Sequence, residues 1–423
     1  MPRIAYIMSR FPKLTETFVL YEMLAVEAAG AEVELYPLRL ERAAVMHPEA
    51  AALVGRAHFA PLLSPPILLE NLLTLVRRPR MYLATLFVLL ARNWGSRRYF
   101  AGALGLFPKA VYFAARMRRD GITHVHAHFA SHPAAAAFVI HRLTGIPYSF
   151  TAHGSDLHRD RHMLFEKVGE AAFVVCISNY NKEVVLAECG RKWSPKIAVI
   201  HCGVDTAVFD PDGREAAGPA RGDGDGATLA VLCVGTLHQV KGQTFLIEAC
   251  RKLSESGVPV VCHLVGDGPD RTALARQARS AGLEGAVRFH GHLTRAEVAE
   301  LFRRADVVAA PSVPTRDGRR EGIPVALMEA MASGVPVVAS RLSGIPELVE
   351  DERTGLLVPP HDAAALAQAI ARLQADPGLR GRLAAAGRTK VVAEFDLKSN
   401  AAALLEHVRR ASSTRSARSA SAA

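Results

Sequence analysis

The chain has 423 residues, 51 Lys and Arg against 41 Asp and Glu, a formal net charge of +10, half its residues hydrophobic and 22% charged. That composition excludes a disordered chain. A single core stops growing at roughly 250 to 300 residues, so two domains meeting at a cleft are expected. The six cysteines (Cys176, Cys189, Cys202, Cys233, Cys250, Cys262) form no C-x-x-C pair, which argues against zinc ribbons and disulfide scaffolds. The apolar run Ile4 to Met8 is shorter than a signal-peptide core, and the longest apolar run, Met81 to Ala91, falls short of the roughly 20 residues a spanning helix needs. A cytoplasmic protein is expected.

Apolar, β-rich runs alternate with helical patterns along the chain. Arg3 to Met8 reads as a strand, Thr15 to Ala29 as a helix stopped by Gly30, and Ala31 to Leu38 as a second strand. From Asn71 to Arg119 there are ten basic residues, among them Arg77, Arg78 and Arg80, and no acidic one. Leu72, Leu83, Phe87 and Trp94 lie between them, the mixture an interfacial helix uses against anionic headgroups and the acyl boundary. Ordinary core-facing helices with a solvated basic face read the same way. No nucleic-acid motif accompanies the charge.

Strands follow at His124 to Phe129, Tyr148 to Ala152, Ala172 to Ile177 and Lys196 to His201, which makes residues 1–210 a parallel, doubly wound domain. Residues 211–227, rich in Gly, Pro and Asp, read as a linker, and the Asp223 and Asp225 pair as linker polarity. The alternation restarts at Leu229 to Val234, Val260 to Val265, Val287 to His290, Val307 to Ala310 and Val335 to Ala339, a second doubly wound domain over 228–394. A helix over 395–410 is expected to cross back to the first domain, and 411–423 to be a disordered tail.

Ligands of such sheets sit at the carboxyl ends of the strands. In EGIPVALMEAMASG, Pro324 suits the first helical position, which puts the amides of Gly322 and Ile323 at a helix N-terminus that favours phosphate. Glu321 precedes that terminus and Glu329 lies about 7.5 Å farther along the helix. Glu329 is the only charge between Glu321 and Arg341, and leaving it buried and unpaired is costly. A ribose diol would satisfy it, as would an arginine or backbone amides. Lys241, beside Gly242 at a helix start, suits a diphosphate or is simply solvated. His153, at a strand's end before Gly154, is either a sugar ligand or acid–base group, or a satisfied structural histidine. His124, His126 and His128 alternate on one strand face, as a zinc site would require, but no acidic or cysteine ligand is evident near them and no metal is expected. The first strand lacks G-x-G-x-x-G, which removes the main support for dinucleotide redox chemistry.

Taken together these segments resemble a known family. The Glu-x7-Glu spacing of Glu321 and Glu329, with KG at Lys241, GDGP at Gly266 to Pro269, PS at Pro311, SGIPELV and TGLLVPP, resembles the retaining nucleotide-sugar glycosyltransferases of family four, which have the GT-B fold. SRFPKLTETFVL, HVHAHFA, TAHGSD and CISNYN resemble more narrowly the subgroup of bacterial exopolysaccharide and colanic-acid-type assembly. The resemblance implies hexosyl transfer from a UDP- or GDP-sugar to a saccharide or polyprenyl-diphosphate-linked acceptor, at the inner face of the membrane and without cofactor or metal. It assigns Lys241 to the leaving diphosphate, Gly322, Ile323 and Pro324 to the diphosphate or sugar, and Glu321 to the donor sugar. Glu329 would bind the ribose, His153 the sugar near the reacting carbon, and the backbone near His292 and Leu293 the base. Thr236 stands where the family usually has an arginine, so Arg316, Arg319 or Arg320 would have to supply the second cation. Arg77, Arg78 and Arg80 would face the membrane. The rival readings are a GT-B nucleotide-sugar epimerase and an inactive glycolipid-binding module.

Overall fold

A computed structural model describes residues 1–13, 16–41, 48–62, 64–212 and 228–420. The chain divides into two compact units, Met1–Ile200 with Lys398–Ala423, and His201–Leu397. The boundary falls at 200/201, ten residues before the position expected from composition, because the chain after Ile200 already packs with the second unit: the Val204 N–H donates to the Phe395 carbonyl at 2.9 Å, and Phe209 sets its ring edge-on to Phe302. Most of the expected linker, residues 213–227 with Asp223 and Asp225, lies outside the described residues.

The first unit is built on six parallel strands, β1 (Arg3–Ile7), β2 (Glu32–Leu35), β3 (His124–His128), β4 (Tyr148–Ala152), β5 (Phe173–Cys176) and β6 (Ile197–Val199), in the order β2-β1-β3-β4-β5-β6. One face packs on the helices Arg97–Arg119 and His132–Thr144 through Phe107, Phe113 and Phe138. The other face is covered by the helix Thr17–Ala28 and by the last helix, Leu397–Ala420, whose Leu404, Leu405 and Val408 are buried with Tyr6, Val19 and Met23. Burying three such side chains is worth roughly 1.5–3 kcal/mol each, which ties the end of the chain to this unit. That helix reaches Ala420, into the Ala-, Ser- and Arg-rich segment 411–423 expected to be disordered, where alanine and arginine favour helix; 421–423 lie outside the described residues. A strand covered on both faces reads as a continuous buried run, and all five residues of β3 and of β4 are buried. Between β2 and β3 stand the helices Pro48–Arg56, Pro65–Arg77 and Pro79–Arg92 ahead of Arg97–Arg119.

The second unit has β7 (Leu229–Val234), β8 (Val260–Val265), β9 (Val287–Gly291), β10 (Val307–Ala310), β11 (Val337–Ser340) and β12 (Leu356–Val358), all parallel, in the order β12-β11-β10-β7-β8-β9. Periodicity alone marks five of these. The sixth, β12, has three residues between Gly355 and Pro359, too few to show a period, and is recruited by pairing with β11. The order reverses between β7 and β10, where the chain, having run outward through β8 and β9, returns to β7's other side. A ligand of a doubly wound sheet binds outside the carboxyl ends at such a switch point.

Candidate active site

The loops after β7 and β10 bring Lys241 and Glu321 together. The Lys241 Nζ lies 2.9 Å from the Glu321 Oε2, and both side chains remain about one-fifth exposed, at 23% and 17%. The strand ending at Val234 leads through a 3-10 turn, Gln239–Lys241, into the helix Gln243–Glu255. Gly242, between turn and helix, has φ +68°, and a Cβ there would overlap the Pro311 carbonyl oxygen. Only glycine lets β7's loop lie against β10's loop this closely. Gly266, after β8, meets the Gly235 carbonyl in the same way, so the carboxyl ends of three central strands share one tightly packed floor.

Glu321 leads into the helix Val325–Ala332. Pro324 is that helix's cap, with φ −64° and ψ 126°, and not its first turn as expected; its extended ψ turns the chain before the first helical residue. Proline has no N–H, so Pro324 contributes shape and not a donor. The amides of Gly322 and Ile323 find no acceptor among the described residues and are available at the helix's positive end. Glu329, the fifth residue of the helix, keeps slight surface but has its carboxyl enclosed: burial raises its pKa to about 7 and the Arg295 charge opposes the rise.

Arg295 is a neighbour that nothing local in the sequence announces. It opens the helix Arg295–Arg304 behind a capping box in which the Thr294 N–H donates to the Glu297 carboxylate at 2.7 Å and the Glu297 N–H donates to Thr294 Oγ1 at 3.3 Å. Its guanidinium lies 3.5 Å from Asp205 and over the Phe209 ring. The capping box is visible as T-R-A-E, but the partners of Arg295 are about 90 residues away in sequence. His292 is exposed and Leu293 half-buried in the turn between β9 and this helix. Thr236 is half-buried, and its carbonyl accepts from Gln243 Nε2 at 3.0 Å. Of the three arginines before Glu321, Arg319 points back toward β7's loop, its Nη1 3.3 Å from His238 Nε2 and its Nε 3.2 Å from Asp317.

The other candidate histidine belongs to the first unit, whose switch point lies between β1 and β3. His124, His126 and His128 do share one face, in a ladder with β4: His124 and His126 flank the Ser149 hydroxyl at 2.7 and 2.8 Å, His126 Nε2 lies 3.0 Å from Thr151 Oγ1, and His128 Nδ1 lies 3.0 Å from His153 Nε2. Burial pushes His124 and His126 down to about 3 and His153 well below the ordinary histidine range, so all three are neutral at pH 7. The rings of Phe18 and Phe129 pack on His153, and Asp156 accepts from the N–H groups of His153 and Gly154 at 3.1 and 2.7 Å, fixing the turn.

An acidic group does stand beside this ladder, contrary to expectation. Glu22, on the helix Thr17–Ala28, has Oε1 3.1 Å from His128 Nε2, 3.9 Å from His126 Nε2 and 3.3 Å from the Tyr6 hydroxyl. Burial raises its carboxyl pKa, but His128, His126 and Tyr6 outweigh that and the net direction is down. Glu22, His126 and His128 are a group of potential metal ligands with their ligand atoms within 4.8 Å of one another. Every ring nitrogen of His126 and His128 nevertheless has a protein partner, so the cluster is satisfied without an ion. The sequence signal was a lone acid in the apolar run FVLYEML.

Residues 15–208 match the family model for Glycosyltransferase Family 4, and residues 228–376 that for Glycosyl transferases group 1. WcaL of Escherichia coli (strain K12), named as a colanic acid biosynthesis glycosyltransferase, is 42% identical over 202 residues, 48% of each chain. The amylovoran biosynthesis glycosyltransferase AmsK of Erwinia amylovora is 33% identical over 254 residues, 58% of this chain and 59% of AmsK. The chain thus spans about half the length of the first relative and under two-thirds of the second. Among solved structures, the sucrose-phosphate synthase of Thermosynechococcus elongatus superposes with a TM-score of 0.73 at 22% identity over 97% of this chain and 99% of that one. HepE of Anabaena in complex with UDP-glucose gives 0.70 at 18% identity over 99% and 100%. The fold is that of the GT-B glycosyltransferases, two Rossmann-like domains.

Proposed function

We propose that this protein is a retaining, metal-independent glycosyltransferase that moves a hexose from a UDP- or GDP-sugar to a saccharide acceptor in exopolysaccharide biosynthesis. The observation that carries this reading is the Lys241–Glu321 ion pair at the switch point of the second sheet, beside the open amides of Gly322 and Ile323. In the transition state the anomeric carbon becomes cationic while the nucleotide diphosphate departs, so catalysis consists mainly of stabilising that diphosphate. Lys241 supplies a positive charge, and the helix Val325–Ala332 supplies amides and its dipole. Arg319, reaching toward His238, takes the place of the arginine replaced by Thr236. Glu321 holds the Lys241 ammonium in place and meets the donor sugar. Glu329 accepts from the ribose hydroxyls, the turn at His292 and Leu293 meets the base, and neutral His153 hydrogen-bonds the sugar near the reacting carbon. No metal is needed where fixed cations and amides carry the charge.

The names of the E. coli and Erwinia relatives support a polysaccharide acceptor, and the UDP-glucose bound by HepE of Anabaena supports a uridine donor. Among the described residues no helix is long and apolar enough to cross a membrane. The helices Pro65–Arg77 and Pro79–Arg92 nevertheless expose Leu69, Leu72, Val76, Leu83 and Phe87, with Val76 and Phe87 each 71% exposed, next to Arg77, Arg78 and Arg80. In this reading they rest on the inner face of the cytoplasmic membrane, where a polyprenyl-diphosphate-linked acceptor is held.

The test is incubation with UDP- and GDP-sugars, measuring nucleotide diphosphate release with and without polyprenyl-diphosphate-linked saccharide. Acceptor-dependent release with sugar found on the lipid supports the reading. Release with no transfer favours the epimerase. No release from any donor favours an inactive binding module, the reading that Thr236 supports.

A further inference from the structure

The acid-free helices enclose more than a charged surface. A groove of about 550 Å³ lies in the first unit between the C-terminal halves of Pro65–Arg77 and Arg97–Arg119 and the end of His132–Thr144. Arg77, Arg78, Arg118 and Arg119 line it, with Ala114 among the small floor residues and Glu70 the one acidic residue among the described lining residues. Helix C-termini attract cations, and Arg78 answers one by donating to the Leu143 carbonyl at 3.3 Å, while Arg119 pairs with Glu70 at 2.8 Å. Arg77 and Arg118 form no hydrogen bond or ion pair among the described residues and are exposed. The groove is therefore a concave, positively charged site with an apolar floor and two uncommitted guanidiniums, the group best suited to fork onto a phosphate.

We propose that this groove binds the phosphate-bearing headgroup of an anionic bilayer lipid. The exposed row Leu69, Leu72 and Val76 lies on the helix that supplies Arg77, so a headgroup seated in the groove would have its acyl chains beside an apolar face. The groove is not the place of the transfer acceptor. Two of its three helices, Arg97–Arg119 and His132–Thr144, end where the chain enters β3 and β4, at the amino edge of the sheet, whereas His153 stands at the carboxyl end of β4. The first unit thus holds a single lipid by its head at one edge and leaves the other edge for chemistry. The proposal rests on the membrane-facing reading above and adds to it a discrete, saturable site.

The test uses the full chain and three probes: dihexanoyl-phosphatidylglycerol below its micelle concentration, inorganic phosphate, and vesicles of phosphatidylcholine with or without phosphatidylglycerol. Arg77→Gln with Arg118→Gln removes the two uncommitted groove charges; Arg97→Gln with Arg276→Gln removes two exposed charges outside both the groove and the membrane-facing arginines, and circular dichroism checks that both fold. The expected result is one-to-one binding of the short-chain lipid, weakened about 30-fold in the groove variant at roughly fivefold per arginine and unchanged in the control. Inorganic phosphate should bind more weakly than the lipid. Equal vesicle binding by the two variants, with no saturable binding of the short lipid, overturns the groove while leaving membrane contact standing. Phosphate binding as tightly as the lipid overturns the lipid assignment. Absence of vesicle binding by the unaltered chain overturns both.

Discussion

Glu329 allows the donor assignment to be tested by pH. Its carboxyl is carried by burial from an ordinary 4.5 to about 7, with Arg295 opposing. Ribose hydroxyls donate to a carboxylate and lose that acceptor when it is protonated, so the donor binds the ionised form. About one-tenth of the groups are ionised at pH 6 and about nine-tenths at pH 8, which makes donor affinity rise about tenfold across that range and level off above it. The sign for stability is opposite. The folded chain keeps this proton to higher pH than the unfolded chain, so the group stabilises the ligand-free protein below pH 4.5, and about 3 kcal/mol is lost as pH rises through 7. The assay is calorimetric titration of UDP-glucose and a GDP-hexose, whose diesterified phosphates do not titrate in this range, into the unaltered chain and Glu329→Gln. Expected are a tenfold rise in the unaltered chain and a flat profile in the variant. A flat profile in the unaltered chain, or the same slope in Glu329→Gln, refutes the assignment.

Gly242→Ala should lower the melting temperature of the second unit by about 4–8 °C in scanning calorimetry, since it combines a left-handed backbone with a Cβ against the Pro311 carbonyl, about 2 kcal/mol together. Arg319→Ala should weaken nucleotide-sugar binding about tenfold, whereas Arg316→Ala should leave it unchanged; equal affinities in both would remove Arg319 from the diphosphate site. Glu22→Gln removes the charge that meets His128 and should lower turnover more than donor affinity, because His128 orients His153. An unchanged kcat would make the ladder purely structural.

The two-sheet architecture was legible because parallel strands buried on both faces leave valine-rich, largely apolar runs, as at Val307 to Ala310 and Val260 to Val265. Lys241 and Glu321 stood out in the sequence by their places at helix starts after strands, and the fold brings the two side chains within 2.9 Å of each other. What stayed hidden depends on contacts distant in sequence. Glu22 meets His128 across 106 positions, and Arg295 finds Asp205 and Glu329 only once the second unit is folded. Strand β12 was too short for a period, and the unit boundary was set by Val204 pairing with the far end of its unit, which no local composition reveals.

Whether the Lys241–Glu321 pair serves hexosyl transfer is decided by the single-turnover rate of labelled hexose transfer from the productive nucleotide sugar to lipid-linked saccharide, in the unaltered chain, Lys241→Ala and Glu321→Gln. A product with the donor's anomeric configuration is expected, with a loss of about 10² or more in rate for each variant. An inverted product, or near-normal transfer by either variant, would contradict that role.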